Sequence, residues 1–173
     1  MGTAKGKEIT TVFRYVQQVF RESQQLLAKL DSLMTPDWNT VYGNRVTKGV
    51  TSHLEKPEEW LVQAVFRVYE EKDMLINKGV NITYWGDDLE EPLITACKIT
   101  YSDIKARDHW DLLNAWFYWP QDDLEIKPDG TVYTYKPDED DYIQEVKVFS
   151  LPLVSIENDL DIENKIFKPL LAL

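Results

Sequence analysis

The most regular hydrophobic pattern in the chain runs through residues 8–34. Apolar residues recur there in alternating steps of four and three positions, and a second apolar series repeats every seven positions. The first series is Ile9, Phe13, Val16, Phe20, Leu27, Leu30 and Met34, with Ser23 in its one gap, and the second is Val12, Val19, Leu26 and Leu33. This spacing places the apolar side chains on one face of an α-helix. The helix should end at residue 35, because Pro36 disfavours helical geometry at the residue before it.

The predicted helix is long enough to have more than one role. At 8–34 it would extend roughly 40 Å, which is about the width of a compact domain of this size. It either lies across the core of its own domain or also pairs with a second chain. We expect residues 1–7, which precede the pattern, to be disordered.

Strand patterns dominate the later chain. Residues 60–70 fit helical as well as strand spacing, and their β-branched and aromatic composition favours a strand. Further strands are predicted at 80–85, 93–101, 131–135 and 143–151, and Asp129-Gly130 is typical of a hairpin turn.

Two shorter helices complete the predicted elements. The first spans 104–118, capped by Ser102 or Asp103, and the second spans 155–167, capped by Ser155 or Asn158 and ending at Pro169. The predicted fold is α+β: a long N-terminal amphipathic helix packed on an antiparallel β-meander, with an inserted helix and a short C-terminal helix. The 173 residues suit a single domain, 1–173.

The net charge of the chain limits which classes of molecule it can bind. The chain carries -11, and residues 61–173 hold -12 of it against +1 for residues 1–60. Such a surface repels nucleic acid and anionic membranes, so we expect no direct nucleic-acid binding, no membrane attachment and a basic protein as partner. The chain has no apolar run of signal-peptide or membrane-span length, which favours a cytoplasmic protein. The single cysteine, Cys97, lies in an apolar run and is expected to be buried.

Only one motif suggests catalysis, and none suggests a cofactor. Asp129 precedes Glu145-Val146-Lys147 by sixteen residues, and Glu145 and Lys147 share one face of a predicted strand. The spacing resembles that of the PD-(D/E)xK nucleases. That resemblance implies Mg²⁺ held by the two carboxylates and an ammonium that stabilises charge at phosphorus. The acidic charge of this half of the chain opposes binding of a nucleic-acid substrate.

An aromatic and acidic patch is the second candidate site. Its members are Trp116 and Trp119, the neighbouring Asp122 and Asp123, and the acidic loop Asp138, Glu139, Asp140 and Asp141. Aromatic faces beside carboxylates bind Arg and Lys side chains by cation–π contact and charge pairing. The alternative interpretation is core packing for the aromatic residues and solvated turns for the acids.

These observations favour a non-enzymatic, acidic protein-interaction domain, for example an inhibitor or immunity-type protein for a basic partner. Two alternatives remain open. One is a Mg²⁺-dependent nuclease centred on Asp129, Glu145 and Lys147, and the other is a structural subunit that assembles as a homo-oligomer through the 8–34 helix.

Overall fold

The fold combines one long helix, one sheet and a short closing helix. The computed structural model describes residues 4–47, 54–55, 57–71, 75–86, 89–103, 127–136 and 142–173. In these ranges an N-terminal helix and a C-terminal helix accompany a six-stranded antiparallel sheet, which confirms the predicted α+β class. The predicted inserted helix at 104–118 lies outside the described residues.

The N-terminal helix, α1, spans Ala4–Met34. It begins four residues earlier than the apolar pattern indicated, because Ala4, Lys5 and Lys7 are good helix formers that extend it without a tertiary contact. It ends where Pro36 predicted, and the amide of Trp38 closes its last turn on the carbonyl of Met34. Among the described residues, no helix is both long enough and apolar enough to cross a bilayer.

The sheet has the strand order β1-β2-β3-β4-β6-β5, and every neighbouring pair is antiparallel. The strands are β1 (Asn39–Thr40), β2 (Ala64–Glu70), β3 (Ile76–Thr83), β4 (Leu93–Tyr101), β5 (Tyr133–Tyr135) and β6 (Ile143–Pro152). The ambiguous segment 60–70 resolves into a short 3₁₀ turn, Pro57–Trp60, followed by strand β2. The strand expected there from composition is therefore confirmed over residues 64–70.

Both faces of the sheet are apolar. On one face, the second half of α1 and the C-terminal helix share a core with alternate strand residues. That core contains Leu26, Leu27, Leu30, Met34, Tyr69, Val80, Ile82, Ile94, Phe149, Ile162, Ile166 and Leu170. The opposite face carries Phe66, Val68, Cys97, Ile99, Tyr101 and Val146. Cys97 is fully buried there, and burial raises the pKa of its thiol, so the thiol is unreactive.

The C-terminal helix is continuous from residue 159 to 172 and has a π-helical middle, Ile162–Phe167. Asn158 caps it, since its side-chain oxygen accepts hydrogen bonds from the amides of Leu160 (2.9 Å) and Asp161 (3.1 Å). The expected end at Pro169 is wrong. Pro169 occupies the first turn of the final segment, Lys168–Ala172, where its missing N–H breaks no bond that this segment requires.

Two sheet lysines hold the end of this helix. Lys78 Nζ donates to the main-chain oxygens of Leu170 and Leu171, both at 2.8 Å, and Lys98 Nζ donates to that of Leu173 at 2.8 Å. Lys78 and Lys98 are directly opposite each other on β3 and β4. Burial, and then the charge of Lys98, lower the pKa of Lys78 to about 8.

This lowered pKa predicts a pH dependence of stability. Between pH 8 and 10.5, Lys78 is neutral in the folded chain but still protonated in the unfolded chain, so unfolding takes up a proton and stability rises with pH. The free energy of unfolding of the native chain, minus that of Lys78→Met, should increase across this window. We expect on the order of 1 kcal/mol, because solvent screening reduces the full linkage value.

Urea denaturation at several pH values measures this difference. Lys136→Met, which removes a lysine from an exposed position after β5, is the control. A difference between the native chain and Lys78→Met that stays constant, or falls, from pH 8 to 10.5 would contradict the prediction.

Candidate functional site

The first half of α1 has a largely exposed apolar face, which meets the body at its end, where Phe20 contacts Tyr84. Ser23, Leu26, Leu27, Leu30 and Met34 of this helix are buried. In the half before them, the exposed fractions are 52% for Ile9, 60% for Val12, 61% for Phe13 and 38% for Val19. We call Ala4 to Glu22 the projecting segment. Its apolar stripe continues the face that is buried in the second half of α1. The same face of the helix is therefore exposed at one end and part of the core at the other.

The polar side of the projecting segment is basic. Lys7, Arg14 and Arg21 recur every seven residues, which places them together on the side opposite the middle of the apolar stripe at Ile9, Val12 and Val16. The segment carries four basic and two acidic residues, for a net +2, and the rest of the chain therefore carries -13. A basic amphipathic helix thus extends from a strongly acidic body.

A cleft of about 520 Å³ opens where the projecting segment meets the body. α1 forms one side of it, and the loop after β1, the start of β2 and Tyr84 form the others. Its apolar lining is Phe20, Leu27, Ala28, Val46, Val62 and Val65, and its polar lining is Ser23, Gln24, Asp31, Asn44, Thr47, Arg67 and Tyr84. Small-molecule sites in proteins have this size and this mixture of apolar wall and few polar groups.

An ion pair between α1 and β2 forms part of the cleft wall. Arg67 binds Asp31 in a bidentate manner: Nε donates to Oδ1 at 2.9 Å, and Nη2 donates to Oδ2. Nη1 of Arg67 donates to the carbonyl of Gly43, and the hydroxyl of Tyr69 donates to Asp31 Oδ1 at 2.8 Å. The carboxylate of Asp31 therefore connects α1 to β2, and the guanidinium of Arg67 also binds the loop that contains Gly43.

The environment keeps this group of side chains in fixed protonation states. Burial, and then the negative charge of Asp31, raise the pKa of Tyr69, so its hydroxyl remains a donor. Burial by itself would lower the pKa of Arg67, but the hydrogen bond and charge of Asp31 outweigh it and raise that pKa. The pair presents one positive and one negative charge to the cleft, with no net charge.

Tyr84 lies at the other side of the cleft. Its ring contacts Phe20 edge to face, with centroids 5.2 Å apart. Its hydroxyl oxygen is buried and makes no hydrogen bond of normal geometry, although the ring itself is partly exposed. Burial raises the pKa of Tyr84, and the nearby side chain of Ser23, which is close enough to interact with the hydroxyl, partly offsets the rise.

The residues of the nuclease alternative do not form one site. Glu145 and Lys147 pair with each other at 3.4 Å. Asp129 lies in the predicted turn, where its carboxylate accepts from the amide of Thr131 at 2.9 Å. The amide of the next residue bonds to Ser150, five residues along β6 from Glu145, so Asp129 is about 17 Å from Glu145 along the sheet. Among the described residues, no three His, Cys, Asp or Glu side chains are grouped as metal binding requires.

The predicted partner-binding residues lie outside the described ranges: Trp116, Trp119, Asp122, Asp123, Asp138, Glu139, Asp140 and Asp141. The aromatic and acidic patch therefore stays a prediction. Sequence reasoning missed Asp31, Arg67, Tyr69 and Tyr84. One signal was available, since Arg67 stands in the apolar run of β2 (Ala64–Glu70), where a charged side chain needs a buried partner.

Comparison with known proteins adds no assignment. No family model matches the chain, and no curated protein or solved structure is significantly similar to it. Functional inference therefore depends on the two features described above, the projecting segment and the cleft at its base.

The ion pair should be important for stability. Asp31→Ala leaves the guanidinium of Arg67 buried without its carboxylate, and we expect a loss of about 3 kcal/mol in the free energy of unfolding. The double variant Asp31→Asn, Arg67→Met should lose less than Asp31→Ala alone, because no uncompensated charge remains. Urea denaturation of both variants measures this. A double variant less stable than Asp31→Ala would contradict the charge argument.

Proposed function

We propose that this chain is a non-enzymatic interaction protein that docks through the projecting segment of α1, and that the docking partner is a second copy of the chain. The observation that carries the proposal is the exposed apolar face of that segment. Ile9, Val12 and Phe13 are each more than half exposed, although the face they continue is core from Ser23 onward. Contiguous apolar surface of this kind marks interaction sites in soluble proteins.

The spacing of the stripe supports self-association. Ile9, Phe13, Val16 and Phe20 follow the four-and-three steps of a coiled-coil seam, in which two helices pack side chains between one another. In an antiparallel pair, Ile9 can lie opposite Phe20 of the second copy while Phe13 lies opposite Val16. Every apolar layer then meets another apolar layer, and the interface has the two-fold symmetry most common in homodimers.

Charge supports the antiparallel orientation. A parallel pair would bring two bodies of charge -13 side by side at one end of the helices. An antiparallel pair separates the bodies by the length of the projecting segments, roughly 28 Å. That separation exceeds the Debye length of about 8 Å at physiological salt, so repulsion between the bodies is largely screened. Each basic segment then also points toward the acidic body of the other copy.

The first test is the oligomeric state. We expect the native chain to be a dimer by sedimentation equilibrium. Phe13→Glu should weaken dimerisation by roughly 30-fold or more, because a charge replaces an apolar side chain at the centre of the interface. Thr11→Glu adds the same charge on the outer face of the same helix and should leave the dimer intact.

Three results would contradict this proposal. One is a native chain that remains monomeric at the highest soluble concentration. Another is equal weakening by Phe13→Glu and Thr11→Glu. The third is a monomer that binds vesicles of anionic phospholipid through Phe13, which would identify a lipid surface as the partner.

A spin-label distance tests the orientation. Ser32 is exposed on α1 beyond the proposed interface, and Cys97 is fully buried, so Ser32→Cys accepts a single label. With Ile9 opposite Phe20, the two labels of an antiparallel dimer lie about 50 Å apart, whereas a parallel dimer places them within about 20 Å. A short distance in a confirmed dimer would overturn the antiparallel arrangement alone.

A basic partner remains a separate prediction. It is supported by the -12 charge of residues 61–173 and not by any contact among the described residues. A cytoplasmic location likewise stays a prediction. Asp129 lies far from Glu145 and Lys147, which counts against the nuclease alternative.

A further inference from the structure

We infer that the cleft beside α1 is a binding site for an uncharged aromatic molecule that carries a hydrogen-bond donor. The inference does not rest on self-association, although Phe20, the last residue of the stripe, also lines the cleft. The cleft's volume, about 520 Å³, lies within the range of about 300–1,000 Å³ typical of small-molecule sites.

Asp31 supplies the acceptor for the ligand. Its Oδ1 accepts two hydrogen bonds, from Arg67 and Tyr69, but its Oδ2 accepts only the one from Arg67. The side chain is 27% exposed, whereas that of Arg67 is 8% exposed. A carboxylate oxygen can accept a second hydrogen bond. Asp31 is therefore the member of the ion pair that a ligand can reach. Because it is a hydrogen-bond acceptor, it selects a ligand with an N–H or O–H group.

Tyr84 contributes its ring to the wall of the cleft. Its hydroxyl oxygen has almost no accessible surface, and the neighbouring Ser23 side chain already acts on its pKa, so the hydroxyl is not the polar contact for the ligand. The hydrogen bond that selects the ligand is therefore the one to Oδ2 of Asp31.

The charges in the cleft select against ions. Asp31 and Arg67 are the charged residues among those described that line it, and they neutralise each other. An anion would approach the more exposed carboxylate of the pair, and a cation would lose its hydration for a carboxylate whose charge Arg67 already neutralises. An uncharged ligand avoids both costs.

The walls select an aromatic body. Phe20 and Tyr84 present two rings at one end, and Leu27, Val46 and Val62 provide aliphatic surface. A flat ring gains offset or edge contacts with both aromatic side chains in addition to apolar burial. A flexible aliphatic ligand of the same size would lose more conformational entropy on binding.

The test uses three probes that share one ring and differ in charge: benzamide, benzoate and benzylamine. We expect benzamide to bind with a Kd on the order of 1 mM, as its size allows, and to shift the amide resonances of residues 20–31, 44–47 and 62–67 in NMR titrations. Benzoate and benzylamine should bind at least 10-fold more weakly. Equal binding of all three probes, or shifts away from these residues, would overturn the inference.

Two variants test whether benzamide binds in the cleft. Ala28→Trp places a large side chain in the cleft without removing a polar group, and it should weaken benzamide binding at least 10-fold. Thr11→Trp makes a comparable change at an exposed position of the projecting segment, away from the cleft, and should leave the affinity unchanged. Undiminished binding to Ala28→Trp would show that the probe occupies another place.

Toluene tests the hydrogen bond separately from the shape of the site. It has the ring of benzamide but no N–H to donate to Asp31, and we expect it to bind at least 10-fold more weakly. Tyr84→Phe keeps the ring contact with Phe20 and removes only the buried hydroxyl, so it should leave the affinity for benzamide unchanged. Equal binding of toluene and benzamide to the native chain would overturn the proposed role of Asp31. Repeating the titrations in Phe13→Glu keeps the result independent of dimerisation.

Discussion

The salt bridge between Asp31 and Arg67 determines how the other parts of the structure are arranged. It joins the last turns of α1 to the centre of β2, and through Gly43 it also holds the loop that follows β1. A bidentate guanidinium–carboxylate contact restrains both distance and orientation. The direction in which the first half of α1 leaves the body, and the width of the cleft beneath it, both follow from this restraint.

A second polar anchor lies on the same sheet face, on β3 and β4, the two strands that follow β2 in the sheet, where Lys78 is directly opposite Tyr69. Lys78 and Lys98 bind the last main-chain oxygens of the C-terminal helix, and Lys29 of α1 pairs with Asp159 at its beginning, at 3.1 Å. The two helices therefore share a core and are each tied to a fixed strand position. Apolar burial supplies most of the stabilisation in such a layer, and the directional polar contacts select one arrangement of it.

Much of the fold was predictable because its signals are local. The heptad-like spacing of α1, the β-branched composition of 64–70 and the Asp129-Gly130 turn each depend on a few neighbouring residues. The prediction that the C-terminal helix ends at Pro169 was wrong because a proline can begin a helical segment as well as end one. The π-helical turn before Pro169 also leaves no signal in the hydrophobic periodicity. The cleft was not predictable, since it joins Asp31, Arg67 and Tyr84 across separations of tens of residues, and only a folded topology brings them together.

α1 runs without interruption from the exposed surface into the core. This continuity affects the helix–coil equilibrium of its tip, the projecting segment. In a single copy, residues 4–22 are helical mainly through their own backbone hydrogen bonds, and the run Ile9-Thr10-Thr11-Val12 is β-branched and weak in helix propensity. Most helical stability in proteins comes from tertiary packing of an apolar face and little from propensity. The packed second half of α1 supplies the nucleus from which the tip continues as helix. A partner that covers the stripe therefore adds to the tip the packing that the core gives to the rest of the helix.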